Sequence, residues 1–278
     1  MTVSASRLWV QLVGYTILSI VAVCVLIPVG WMFSTAFKTD SEIFSDPPQW
    51  IPNILTLDAF TRVWSDYPFL QYFGNSFTVV GTATFISVFF SAFAGYGMAR
   101  FEFRGKGSFL TFLLMTQMFP SIMLLIPYYK IIQTIGLVNT HGALIITYIS
   151  FTIPFCSWMM LGYFKGIPRE LDEAAAIDGL SRLKTFFQVV LPLALPGIAA
   201  TAIFSFITGW NEYVFALVLT QSEDVKTVAV GIGQLVGQYK ILWNDLMAAS
   251  LYAIVPLVAV FAFLQRFLIS GLTAGAVK

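Results

Sequence analysis

"RELDEAAAIDGLSRLKTFFQVVLPLALPG", residues Arg169–Gly197, is charged, helix-patterned and hinged at a glycine, yet it lies between two of the most apolar parts of the chain. Pro168 has the fixed φ suited to a helix's first turn. Glu170, Asp172 and Glu173 follow where acids complement the helix dipole. Leu171, Ala174, Ala175 and Asp178 share a face, with Ile177 flanking it. Gly179 falls at the stop position just past the helix end. Ser181 is placed to cap a second helix, whose apolar stripe is Leu183, Phe186, Phe187 and Val190. Pro192 and Pro196 mark the hand-over to the next apolar run. The stretch therefore reads as two short helices at an angle. An amphipathic loop lying on a membrane shares most of these features. The alanine face is too small to hold lipid well, however, and suits close docking in a protein groove.

The surrounding composition sets the class. Of 278 residues 58% are hydrophobic and 10% charged, with a mean hydropathy of +0.82, whereas soluble domains carry about 25% charged residues. A spanning helix needs about 20 apolar residues, and six stretches qualify: Leu12 to Phe33, Ser76 to Tyr96, Ser108 to Tyr129, Ala143 to Tyr163, Leu193 to Val218 and Leu246 to Ile269. The expected fold is all-α: a polytopic membrane protein with six transmembrane helices, because each backbone polar group must be satisfied within its own helix. The first stretch is longer than a signal peptide's apolar core and reads as an uncleaved anchor. Lys and Arg set the orientation. With the N-terminus inside, the inner segments hold Arg7, Arg100, Arg104, Lys106, Lys165, Arg169, Arg182, Lys184, Arg266 and Lys278. The outer ones hold Lys38, Arg62, Lys130, Lys226 and Lys240. Both termini are expected in the cytoplasm. Residues 1–278 then form one transmembrane domain with a cytoplasmic loop at 164–192 and outer loops at 34–74, 130–142 and 220–245.

A net charge of +1 carries no nucleic-acid footprint, and Cys24 and Cys156 sit far apart in apolar runs. One histidine and no clustered Cys/His set argue against a metal site. Ala83, Ser87, Ser91 and Gly95 recur every fourth residue, a small-residue face for a tight internal helix contact. Pro120 and Pro127 in the third span, beside Gln117, and Pro154 in the fourth, are kink positions. The prolines of "DPPQWIP" favour an extended path through the first outer loop.

Glu173-Ala174-Ala175, three residues, Gly179, nine residues and then Val189-Val190-Leu191-Pro192 resemble the EAA loop of ABC-transporter permease subunits. "GWNEYVFALVL" (Gly209–Leu219), "AVGIGQLVGQY" and the terminal "LISGLTAGAVK" are similar to the carbohydrate-uptake branch, most of all its maltose-type G subunits. The resemblance covers essentially the whole chain. It implies that Glu173, Ala174, Ala175, Asp178, Gly179, Leu191 and Pro192 couple this chain to a cytoplasmic ATPase. It also implies two copies of that ATPase, a second, F-like permease, an extracytoplasmic solute-binding protein, and a place among the lipids of a prokaryotic inner membrane. This chain has no GxxxxGK[ST] phosphate loop; "RGKGS" at Arg104–Ser108 lacks the pattern. It is therefore expected to bind no cofactor and to catalyse nothing, ATP and Mg belonging to the partner.

Trp210, Asn211 and Glu212 are candidates for the substrate path: hydroxyls need polar partners and sugar C–H faces need rings, and a charge within a span is functional by default. An interfacial position for Glu212 is the plainer reading. An ion-coupled carrier using Glu212 as its proton site remains open as an alternative. Gly231, Gly233, Gln234 and Gly237 are, by the resemblance, expected to face the binding protein, although an ordinary solvated connection has the same composition.

Overall fold

The computed structural model describes residues 5–237 and 241–274, with side chains for 9–237 and 241–268. Lys240 and Lys278, counted in the charge balance, and Gln238 lie outside the described residues. The apolar runs form long helices, as a backbone without water requires. In chain order these are α1 (Ala5–Ala36), α2 (Asp40–Ile43), α3 (Asp58–Ser65), α4 (Phe69–Arg100), α5 (Lys106–Met118), α6 (Leu125–Thr134) and α7 (His141–Lys165). There follow α8 (Glu170–Ile177), α9 (Arg182–Thr185), α10 (Leu191–Leu193), α11 (Leu195–Trp210), α12 (Val214–Leu219), α13 (Val228–Gln234) and α14 (Trp243–Ala274). Among the described residues four helices are long and apolar enough to cross a membrane, and six spans result if each of two bent pairs counts as one.

The bent pairs correct the sequence reading. The stretch Ser108 to Tyr129 is not one helix: Lys106–Met118 and Ser121–Thr134 meet at 94°. Pro120 is the cause. Proline disfavours α-conformation in the residue before it, and Phe119 is extended at φ −79°, ψ 126°. Pro127 lies in the first turn of α6, where its missing N–H costs nothing. Pro154 is accommodated inside the continuous α7. The stretch Leu193 to Val218 is likewise broken. Arg182–Leu193 and Leu195–Trp210 meet at 77°, and a second break at 211–213 separates α11 from α12. The expected outer loops also hold short helices, α2 and α3 in the first and α13 in the last.

The chain divides into two compact units, Met1–Pro68 with Gln234–Ile254, and Phe69–Gly233 with Val255–Lys278. In the first, Arg62 donates to Asp245 at 3.0 and 2.6 Å, Tyr67 donates to its other oxygen at 3.3 Å, and Asn244 donates to Asp40 at 2.6 Å. The bond to Asp245 raises the pKa of Arg62, while burial raises that of the Tyr67 phenol. Lys38, 1% exposed, is capped by the face of Trp31 at 4.3 Å and bonds the carbonyl of Gln49; burial pulls its pKa down.

The second unit is built on the pair α4 and α7. The small-residue face is this contact. Ser87 Oγ meets Thr152 Oγ1 at 2.7 Å, and Ser91 bonds the carbonyl of Ile153 and the hydroxyl of Ser157, each at 3.3 Å. A Cβ on Gly95 would stand 2.6 Å from that of Met160, so glycine alone permits the approach. In lipid such packing and inter-helix hydrogen bonds replace the hydrophobic drive. Aromatic clusters fill the space around α11 and α12 at one end and around residues 186–190 at the other.

Gly95→Leu is expected to destabilise the purified protein by about 1–3 kcal/mol through overpacking. Gly81→Ala on the same helix, where an added Cβ meets nothing within 4 Å, leaves stability unchanged. Thermal unfolding in one detergent decides: equal midpoints for the two variants contradict the close α4–α7 contact.

Candidate coupling surface and transport cavity

The helix pair forms as its residues dictate. Just past the end of α8, Gly179 adopts φ +79°. Its N–H bonds the carbonyl of Ala176 at 3.1 Å, and that of Leu180 bonds Ala175 at 3.0 Å. This is a Schellman ending, which needs glycine at this position. Ser181 precedes α9 as expected, but its hydroxyl caps nothing; its carbonyl accepts from Thr185 N–H at 2.8 Å. Residues Phe186–Val190 then widen into a π-helix. The wider turn shifts the buried face. Thr185, Phe186 and Val190 are buried, while Leu183 and Phe187 remain 64% and 48% exposed. The apolar stripe is thus half of what the spacing predicts.

The expected coupling residues divide between two faces. Glu173, Ala174, Asp178 and Ile177 are exposed, Ile177 at 87%. Ala175, 4% exposed, turns inward, so the close approach it permits is to this chain's own bundle. Leu191 and Pro192 belong to α10, beneath the 77° turn.

Residues outside the motif anchor this pair. Arg100, at the end of α4, holds Asp172 of α8 in an ion pair at 2.9 Å. Its other nitrogens donate to the carbonyls of Phe164 and Ile167 at 3.1 and 3.0 Å, closing the end of α7. Tyr96 donates to Asp172 at 2.8 Å, and Arg169 donates to the carbonyl of Ala99 at 3.0 Å. Phe186 packs against Phe93 and Tyr96 with ring centroids 4.8 and 4.9 Å apart. One guanidinium therefore joins three helices. In the sequence Arg100 registers only as one of the positive charges and Asp172 only as an acid in a first turn; no local spacing pairs them.

A second site lies between the two broken spans. A cavity of 460 Å³ is bordered by Thr116 and Gln117 before the first break, Tyr128 after it, Ser150 and Phe151 of α7, and Thr208 and Glu212 at the second break. Glu212 accepts hydrogen bonds from Phe215 N–H and Ala216 N–H, both at 2.9 Å, and from the Tyr148 hydroxyl at 3.2 Å. It is the carboxylate cap of α12, supplying what the helix start lacks. Its neighbours in the sequence do not join it at the cavity. Trp210, 5% exposed, stacks on Phe206 at 5.4 Å in the core. Asn211 bonds back to the carbonyl of Ile207 at 2.9 Å.

The candidates for the binding-protein contact also separate. A Cβ on Gly231 would stand 2.3 Å from the ring of Tyr72, and one on Gly233 2.6 Å from that of Tyr213. Both glycines let α13 pack closely. Gln234 and Gly237 are exposed. The connection before them is pinned rather than loose. Asn139 Oδ1 accepts from the N–H of Gln221 and Ser222 at 2.8 and 3.0 Å, and Asn75 donates to the carbonyls of Asp224 and Lys226 at 2.9 and 2.8 Å.

Comparison with known proteins supplies the family. Residues 87–273 match the model of the binding-protein-dependent transport system inner membrane component. The trehalose/maltose transport system permease protein MalG of Thermococcus litoralis is 38% identical over 262 residues, 93% of this chain and 94% of that one. The diacetylchitobiose uptake system permease protein DasC of Streptomyces coelicolor is 34% identical over 251 residues, 90% of this chain and 91% of that one. The fold matches a chain in the crystal structure of a bacterial ABC transporter involved in the import of the acidic polysaccharide alginate, with a TM-score of 0.81 and 22% identity over 96% of this chain and 99% of that one. The ion-coupled carrier reading gives way. The chain belongs to the family of binding-protein-dependent transport system inner membrane components, and is the permease subunit of an ABC transporter whose ATPase is a separate chain.

Proposed function

We propose that this chain forms half of a sugar translocation path and receives the ATPase's stroke through α8. The observation that carries the reading is the Arg100–Asp172 anchor, which fastens an exposed helix face to two spanning helices. The face comprising Glu173, Ala174, Ile177 and Asp178 docks in a cleft of the ATPase. Moving a two-state bundle from 1:99 to 99:1 takes about 5.5 kcal/mol, so the contact must not slip. Ile177 supplies an apolar knob and Glu173 a charge that a basic residue of the partner pairs. Ala175, Gly179, Leu191 and Pro192 act within this chain: they set the bend through which the push on α8 enters α11.

The complete importer then contains a second, F-like permease, two copies of the ATPase that bind ATP and Mg, and an extracytoplasmic binding protein. The chain sits in a prokaryotic inner membrane with α8 and both termini on the cytoplasmic side, consistent with the excess of Lys and Arg there. Gln234 and Gly237 face the binding protein, while Gly231 and Gly233 seat α13 against Tyr72 and Tyr213. Glu212 shapes the path by holding the second break in place; Trp210 and Asn211 support it from outside the cavity. The trehalose/maltose and diacetylchitobiose systems among the relatives favour a di- or oligosaccharide cargo.

Arg100→Ala is expected to leave the chain inserted and ATP turning over, while the sugar moved per ATP in proteoliposomes drops roughly tenfold, the scale of a lost charge partner. Glu173→Ala acts on the partner side of the same contact and lowers the same ratio. An unchanged ratio in both removes α8 as the point of entry. For the opposite face, replacing Gln234 and Gly237 by arginine suppresses the ATPase stimulation that the loaded binding protein causes, without altering turnover in its absence. Stimulation at the wild-type level rejects that contact.

A further inference from the structure

The cavity between the two broken spans has walls of two kinds. Tyr128, Phe151 and Phe215 form an edge-to-face aromatic cluster, with centroids 5.1, 5.7 and 4.8 Å apart, in which Phe215 is buried and Tyr128 and Phe151 are partly exposed. Facing it are groups with hydrogen-bonding capacity to spare. Gln117 and Thr208 make no side-chain hydrogen bond among the described residues. Tyr128 Oη and Ser150 Oγ meet at 2.6 Å, and Ser150 donates onward to the carbonyl of Thr147 at 2.6 Å, which leaves acceptor lone pairs at the pair. Glu212 accepts three bonds, whereas a carboxylate has about four acceptor sites. The volume, 460 Å³, is within the range of about 300–1,000 Å³ for small-ligand sites.

Charge narrows the ligand. Glu212 is the single charged side chain among the described residues lining the cavity, and no Lys or Arg lines it. An anionic ligand would meet a like charge without compensation. Interrupted helices at the depth of a spanning segment are tolerated where they are buried in protein or line a water-filled cavity. Ser150, Phe151 and Pro154 place this one near the middle of α7, well inside the span.

We propose that this cavity is a glycosyl subsite of this chain's own, built for an uncharged pyranose ring and closed to sugars that carry a carboxylate or sulfonate. The ring lays its C–H face against the partly exposed Tyr128 and Phe151, which Phe215 backs edge-on. Its hydroxyls bond Gln117, Thr208 and the Tyr128–Ser150 pair, and one donates to the spare acceptor of Glu212. The proposal rests on the reading of the chain as half of a sugar path, and adds that this half binds the sugar and selects its charge.

The test is saturation-transfer NMR on the whole transporter in nanodiscs without binding protein, with maltose, trehalose, diacetylchitobiose and a glucuronate-bearing disaccharide as probes. At least one neutral disaccharide is expected to receive saturation at its ring protons. Thr208→Trp, which fills the cavity, abolishes that transfer, and Gln117→Ala weakens it. The glucuronate probe binds roughly a hundredfold more weakly or not at all, as a like-charge contact requires. Phe90→Trp, on an exposed face of α4, leaves the signal as in the wild type. Transfer that persists in Thr208→Trp, a glucuronate probe bound as well as the neutral ones, or no transfer from any probe overturns the subsite. ATP-driven uptake by the wild-type complex separates the two levels. With uptake present, those results reject the subsite alone; with uptake absent in proteoliposomes, the path reading falls and the subsite with it.

Discussion

A single guanidinium organises one end of this molecule. Arg100 closes the carbonyl end of α7 through Phe164 and Ile167 and grips Asp172 of α8 with its remaining edge. Without it, the carbonyls of Phe164 and Ile167 would lose their guanidinium donor and Asp172 its charge partner, leaving Tyr96 and Arg169 to hold the start of α8. The planar fork of arginine makes these contacts at once; the point charge of a lysine would not. The aromatic rings of Phe93, Tyr96, Phe164 and Phe186 pack beneath this polar layer and carry the contact into the bundle. The surface helix is thereby a rigid extension of the spanning pair α4 and α7, and its outward face is free for another subunit.

The same logic governs the spans themselves. Backbone groups must be satisfied without water, so helices run unbroken except where side chains or the chain's own turns make good the loss. Both interruptions obey this. At the first, Pro120 has no N–H to lose, and a 3₁₀ turn at Ser121–Leu124 restarts the ladder. At the second, Glu212 caps the restart of α12. The two breaks face one another across Tyr128, Phe151 and Phe215, and this places a polar opening in an apolar bundle. Elsewhere the helices meet through small residues and hydroxyls, above all at Ser87, Ser91 and Gly95. Many large apolar side chains remain exposed on this chain, as a bilayer solvent permits.

Much of this was legible in the residues. The apolar runs located the spans, the four-residue spacing of Ala83, Ser87, Ser91 and Gly95 located the close contact between α4 and α7, and Gly179 announced its own ending. What stayed hidden depended on partners distant in sequence. Nothing near Arg100 points to Asp172, and nothing near Glu212 reveals that its carboxylate would cap a helix restarting two residues on. Hydropathy sums apolarity without direction, so the 94° and 77° turns were invisible to it although Pro120 lay in view. Gly231 and Gly233 resembled loop residues until Tyr72 and Tyr213 were found against them. The π-turn at Phe186–Val190 displaced a stripe whose spacing had assumed regular helix.

The central claim is that α8 moves as one body with α4. Spin labels at Ile177→Cys and Phe90→Cys, in a chain freed of Cys24 and Cys156, report the distance between the two helices by pulsed electron resonance. The account predicts the same distance in the resting transporter and in the ATP-bound, binding-protein-engaged state, since the Arg100–Asp172 anchor holds throughout. A shift of several ångströms between those states would contradict it: the ATPase would then move α8 without moving the bundle.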